Sequence, residues 1–143
     1  MKTLPCLLCV MVFGVLATAA PPADKPSALT EQCAKACADC MRECERCAHH
    51  CVHLIASGQK EHTYTLGTCM DCADFCAVAA KVVSRHGPMT VSACEACAKA
   101  CDVCAAACDK HPEDEHLKRC AKACQDCAKL CRDMVKHTAD AGR

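Results

Sequence analysis

Residues 33–51 read CAKACADCMRECERCAHHC, with cysteines at Cys33, Cys37, Cys40, Cys44, Cys47 and Cys51. The intervals alternate 4, 3, 4, 3, 4. That is the a/d rhythm of a heptad, so all six thiols fall on one stripe of an α-helix. At about 1.5 Å per residue the stripe is roughly 27 Å long. Thiols stand where a helical bundle ordinarily places Leu and Ile.

The rhythm recurs three times downstream. Cys69, Cys72 and Cys76 step by 3 and 4, and the phase continues through Ala79, Val83 and His86. Cys94, Cys97, Cys101, Cys104 and Cys108 follow, then Cys120, Cys124, Cys127 and Cys131, with Leu117 and Met134 extending the last stripe. Chance would put only about 5 of these eighteen cysteines at two heptad positions of seven. The spacing predicts a first helix capped by Ser27 or Thr30 and stopped near Ser57-Gly58. A second runs from Tyr64 to Arg85 and stops at His86-Gly87-Pro88. Ser92-Ala93-Cys94-Glu95 matches a capping box for the third, which ends near Asp109. Pro112 suits the first turn of the fourth, which frays by Ala139. Short links favour antiparallel neighbours, so the expected fold is all-α, an up-down-up-down four-helix bundle over residues 30–139 with a Cys-lined core. Lys35, Asp39, Glu43, Arg46, Lys122 and Lys129 take the outward positions.

The N-terminus reads as an export signal. Lys2 is followed by an apolar run over residues 4–16, too short for a comfortable membrane span, and Ala17-Thr18-Ala19 fits a small-x-small cleavage site. Cleavage after Ala19 removes Cys6 and Cys9 and leaves eighteen cysteines. Residues 20–29, with three prolines, form a flexible leader. The protein is expected to be exported to the periplasm without a twin-arginine signal, and free of membrane once the signal is removed. The 143 residues suffice for one domain. Seventeen basic and seventeen acidic residues cancel, which gives no electrostatic case for nucleic acid or an anionic membrane. No nucleophile–base pair, phosphate loop or catalytic carboxylate pair is present, so the sequence does not read as an enzyme.

Four uses of an inward row of thiols compete. A bland core is poorly served by Cys and Ala, which fill space less well than Leu or Ile. A disulfide-stapled structural or interaction protein is encouraged by export and an even count. Helices 8–10 Å apart, however, set many opposed positions beyond disulfide reach. An iron–sulfur carrier would need C-x-x-C-x-x-C on a wrapping loop, and the chain has none. A thiolate metal store remains, holding Cu(I) or else Zn(II) or Cd(II). A four-thiolate zinc site carries net charge −2, and several stacked in one core would repel one another. Multiple Cu(I) ions, content with two or three shared sulfurs, keep the core near neutral and use every thiol.

Four Cys-striped helices carrying repeated C-x-x-C and C-x-x-x-C resemble the bacterial four-helix-bundle copper storage proteins, over residues 30–138. The resemblance implies many Cu(I) ions on the core thiolates, a role in copper storage or detoxification, and homotetrameric assembly. Copper donor and acceptor proteins are the partners it implies. Val103, apolar at an outward position, hints at a partner surface.

The histidines are unevenly placed. His49, His50, His53, His62, His111 and His116 gather at one end of the expected bundle, with His62 and His111 on the core stripe and His50 and His116 beside it. These four are the candidate ligands of a mouth, since neutral His passes Cu(I) without accumulating negative charge. Solvated helix-end residues are the alternative, above all for His49 and His53. The opposite end collects His86, His137, Met89 and Met134 around Val83 and Ala79 and is expected to be plugged. Met41 and Met70 read as packing.

Overall fold

The computed structural model describes residues 27–141. The stretch read as an export signal, and most of that read as a leader, lie outside the described residues. Four helices make up the fold: α1 Ala28–Ala56, α2 Thr63–Ser84, α3 Thr90–Cys108 and α4 Glu115–Ala141, with a 3-10 turn at Lys60–His62 between the first two. Each helix packs against its two sequence-adjacent or closing neighbours, α1 on α2 and α4, and α3 on α2 and α4. This is the up-down-up-down bundle expected from the heptads. No strand occurs among the described residues.

The helix ends follow local chemistry, and two expected starts move. Ser27 caps α1, its Oγ accepting from the Thr30 amide at 3.2 Å, while Thr30 itself is buried one turn in. Thus α1 begins two residues inside the stretch read as leader. It stops where anticipated: Gly58 takes φ +102°, and the Gln59 amide reaches back to the Leu54 carbonyl at 3.0 Å. The α2 stop sets His86 at φ 50°, and the Gly87 amide returns to the Val82 carbonyl at 3.1 Å. The third helix starts at Thr90, so Ser92 does not cap it and the capping-box match is a coincidence of composition. Thr90 Oγ1 instead donates to the Gly87 carbonyl at 2.6 Å and holds the turn. Pro112 likewise lies in the turn before α4, not in its first turn. Asp114 performs the capping, its Oδ1 accepting from the amides of His116 at 2.8 Å and Leu117 at 3.1 Å.

All eighteen cysteines from Cys33 to Cys131 are buried, none more than 1% exposed. Alanines 48, 73, 98, 105, 121 and 128 fill between them. The larger apolar side chains sit at the ends: Leu117 near the histidines, and Val83 and Met134, beside Ala79, at the far end. The expected plug is therefore in place, although His86, Met89 and His137 are exposed and take no part in it. Met41 packs on the core as read from sequence. Met70 does not; it is 55% exposed. Most surface ion pairs among the described residues lie on α1 and α4, such as Lys35–Asp39 at 2.5 Å and Arg119–Glu43 at 3.4 Å. Exposed pairs of this kind contribute about 0–1 kcal/mol each. Stability must come from closely packed small side chains.

Candidate metal centre

The a/d stripes of four helices meet on one axis, and the sulfurs form a continuous succession along it. Cys131 lies 3.6 Å from Cys37, Cys37 3.7 Å from Cys127, Cys127 3.9 Å from Cys97 and Cys97 3.6 Å from Cys76. The path continues from Cys76 to Cys72 at 3.9 Å, Cys72 to Cys124 at 3.9 Å and Cys124 to Cys44 at 3.6 Å. It reaches Cys120 at 3.8 Å, Cys104 at 4.0 Å and Cys69 at 3.7 Å. Every separation is far beyond the bond of about 2.05 Å in a disulfide, and the eighteen cysteines among the described residues are free.

Around this path the sulfurs group into fours whose members all lie within 4.8 Å of one another. Examples are Cys37, Cys97, Cys127 and Cys131 toward the plug, and Cys47, Cys69, Cys108 and Cys120 toward the histidines. Between them the groups overlap: Cys40, Cys44, Cys72, Cys120 and Cys124 each belong to two. A tetrahedral four-thiolate site with bonds near 2.3 Å has S···S edges of ~3.8 Å, and a trigonal site at that bond length edges of ~4.0 Å. The separations suit either geometry, so distance does not choose the ion. Overlap does. Neighbouring groups cannot all be filled by ions that each demand four sulfurs of their own, whereas ions content with bridging thiolates can occupy adjacent groups.

The thiols also share their protons. Cys47 is pulled below the ordinary thiol value, first by donation from Cys108 and then from Cys120 and Cys51. Its neighbour Cys51 is pushed up to about 12, chiefly because its proton is held toward Cys47. Burial raises both. An apo core can therefore ionise only in part, and an arriving cation takes the place of a proton.

The six clustered histidines pair as rings at the end near Cys51 and Cys108. His62 is 5% exposed and its ring lies 4.2 Å from that of His111, which is half-buried. His62 Nδ1 is buried without a hydrogen-bond partner. His50 stacks on His116 at 4.3 Å, and His50 Nε2 meets Asp114 Oδ2 at 2.7 Å. The exposed His49 and His53 face each other edge-on at 4.6 Å. Sequence phase separated the inner four from the outer two but could not pair them, because each inner pair joins different segments. It also missed Asp114, which caps α4 and holds His50; an Asp three residues before the Leu117 that opens an apolar stripe was the available signal. Burial raises the Asp114 carboxyl, but His50 and the amides of Leu117 and His116 outweigh it and hold the group below the usual carboxylate range.

Residues 27–136 match the family model described as copper storage protein. The chain belongs to the copper storage protein family. Among solved structures, the Cu(I)-bound copper storage protein BsCsp3 is 36% identical over 75% of this chain and 98% of its own, with a TM-score of 0.70. The apo form of copper storage protein 3 from Bacillus subtilis gives 35% identity over 74% and 98%, with a TM-score of 0.66. The Streptomyces lividans copper storage protein loaded with 10 copper equivalents is 31% identical over 79% and 93%, with a TM-score of 0.69. No curated protein sequence matches the chain. This copper storage family member thus has the bundle, the thiol-filled axis and a histidine-rich end in one chain.

Proposed function

We infer that this protein stores Cu(I), many ions at once, on thiolates along the bundle axis, as a reserve or as protection against free copper. The overlapping sulfur groups carry the reading, because only ions that share ligands can use them all. The ligands are the eighteen cysteines of the four stripes. Nothing in the arrangement calls for turnover; a closed column of equivalent ligands holds ions and does not transform them. An anaerobic Cu(I) titration of the apo protein tests it. Binding of roughly one ion per one to two thiols is expected, and saturation by one or two coppers would end the proposal. The rival Zn(II) or Cd(II) buffer is separated by competition between Cu(I) and Zn(II) against chelators of known strength.

His62, His111, His50 and His116 form the mouth through which ions pass. The unpartnered Nδ1 of His62 supports this, since a buried nitrogen with no bond is costly unless something visits it. Replacing the four should slow loading and leave capacity intact; unchanged kinetics would remove the idea. Donor and acceptor proteins would meet the chain at this end.

The chain is also proposed to be exported, with residues 1–19 as the signal. No described helix is long and apolar enough to cross a membrane. One similar solved structure is of a cytosolic copper storage protein from Streptomyces lividans. The mass of the protein recovered from its native compartment decides between them. Assembly into a homotetramer is supported by the α2–α3 face, where Tyr64, Phe75, Val78 and Val103 are each more than 40% exposed. Phe75→Asp should shift the sedimentation coefficient toward a monomer if that face is the contact.

A further inference from the structure

Beyond the thiol column, the last turns of α1 carry three polar groups that nothing else on the surface engages. Glu45, His49 and His53 are spaced four apart, so they lie one above the other on the outer face of the helix. All three are exposed and line one concavity of about 450 Å³. Their neighbours there are committed elsewhere. Arg46 and Arg119 both pair with Glu43, at 3.2 and 3.4 Å. Arg119 also meets His116 Nδ1 at 2.9 Å, and His50 is held by Asp114. His49 and His53 touch only each other, ring centroids 4.6 Å apart and edge-on. Glu45 has no ion pair, although Asp39 and Glu43 on the same helix do.

We propose that Glu45, His49 and His53 form a surface site for a divalent late first-row ion, Cu(II) above all, separate from the Cu(I) column. Two imidazoles at i and i+4 on a helix give neighbouring nitrogen ligands, and a carboxylate one turn below supplies an oxygen. Both rings are exposed and already adjacent, with centroids 4.6 Å apart. Nitrogen and oxygen donors suit Cu(II), which stands highest in the divalent series, whereas thiolates take Cu(I). Glu43 takes up the charge of the two arginines beside the site, Arg46 and Arg119, and the C-terminal end of α1 adds its negative pole. The protein would then separate two oxidation states of one element by place, with the oxidised ion outside on imidazole and the reduced ion inside on sulfur.

The test uses the full chain, saturated with Cu(I) under anaerobic conditions so that no free thiol reduces the probe. Cu(II) is then added and followed by electron paramagnetic resonance. An axial Cu(II) signal with superhyperfine structure from two nitrogens is expected. His49→Ala and His53→Ala should each weaken it by about a hundredfold, the loss of one arm of a chelate, with unchanged Cu(I) capacity. His137→Ala, an equally exposed histidine at the far end, should leave the signal as it is. A Cu(II) spectrum like that of the aquo ion, or a nitrogen-ligated signal of equal affinity in the His49→Ala/His53→Ala double variant, would overturn the proposal. A low Cu(I) capacity with a His49-dependent signal would instead retain this site and defeat the storage reading.

Discussion

Cys124 illustrates what a single residue does in this core. Its sulfur lies 3.6 Å from Cys44, 3.7 Å from Cys40 and 3.9 Å from Cys72, so it joins three helices and two ligand groups. Cys51, near the histidine end, has Cys47 and Cys69 as its sulfur partners. Cys124→Ser should therefore lower the counted Cu(I) stoichiometry by more than Cys51→Ser does. Equal losses would mean that ions are held one thiol at a time. Asp114 does a different task, tying the start of α4 to His50. Asp114→Ala should destabilise the apo protein by about 1–2 kcal/mol, as lost caps do. Because the native carboxyl is held below its ordinary value, this contribution is full above about pH 4. It fades as pH falls through the lowered value, and thermal melts of the two proteins should converge in acid. The eighteen inward cysteines were legible residue by residue, since helical periodicity alone assigns their side. Met70 was not, because the position beside a core residue can turn either way and here turns to solvent.

At the scale of the helices, the stripes determine which face is inside, and the ends are decided by turn chemistry. The first helix could be bounded from sequence because Ser27 and Gly58 act through their own φ/ψ and side chains. The starts of α3 and α4 could not. A capping box needs its Ser outside the helix, yet the bond of Thr90 to the Gly87 carbonyl begins the coil earlier. Proline's fixed φ serves a turn as well as a helix start, and Asp114 with two amide bonds outcompetes it as the cap. The stripes also lack bulk. Leu117 is one of few large apolar side chains that are fully buried. Leu117→Ala should cost the apo protein about 2–4 kcal/mol, measured by denaturant unfolding. In a core of Cys and Ala that is a large share of the whole, and a loss below about 1 kcal/mol would show that the neighbouring chains collapse into the space.

For the molecule as a whole, the fold class and the thiol column were readable before any coordinates, because the four stripes share one period and short links leave one simple way to close them. The overlap of sulfur groups was not readable, since register between helices depends on packing at both ends. The column makes loading a proton exchange. Each thiol that binds Cu(I) must shed its proton, so apparent affinity should fall as pH falls and loading should acidify a weakly buffered solution. Filling should also raise the melting temperature steeply, because the unfolded chain holds no such site. A pH-independent affinity would contradict thiolate binding.

The seal made by Val83, Ala79 and Met134 has a consequence for the order of events. With the proposed mouth at the histidine end, the column would work as a stack: whatever goes in last stands nearest the way out. Load the protein first with one copper isotope and then top it up with another, and a chelator should recover the second before the first. Simultaneous release of both would mean that ions change places along the sulfurs faster than they leave, which would turn a queue into a common pool.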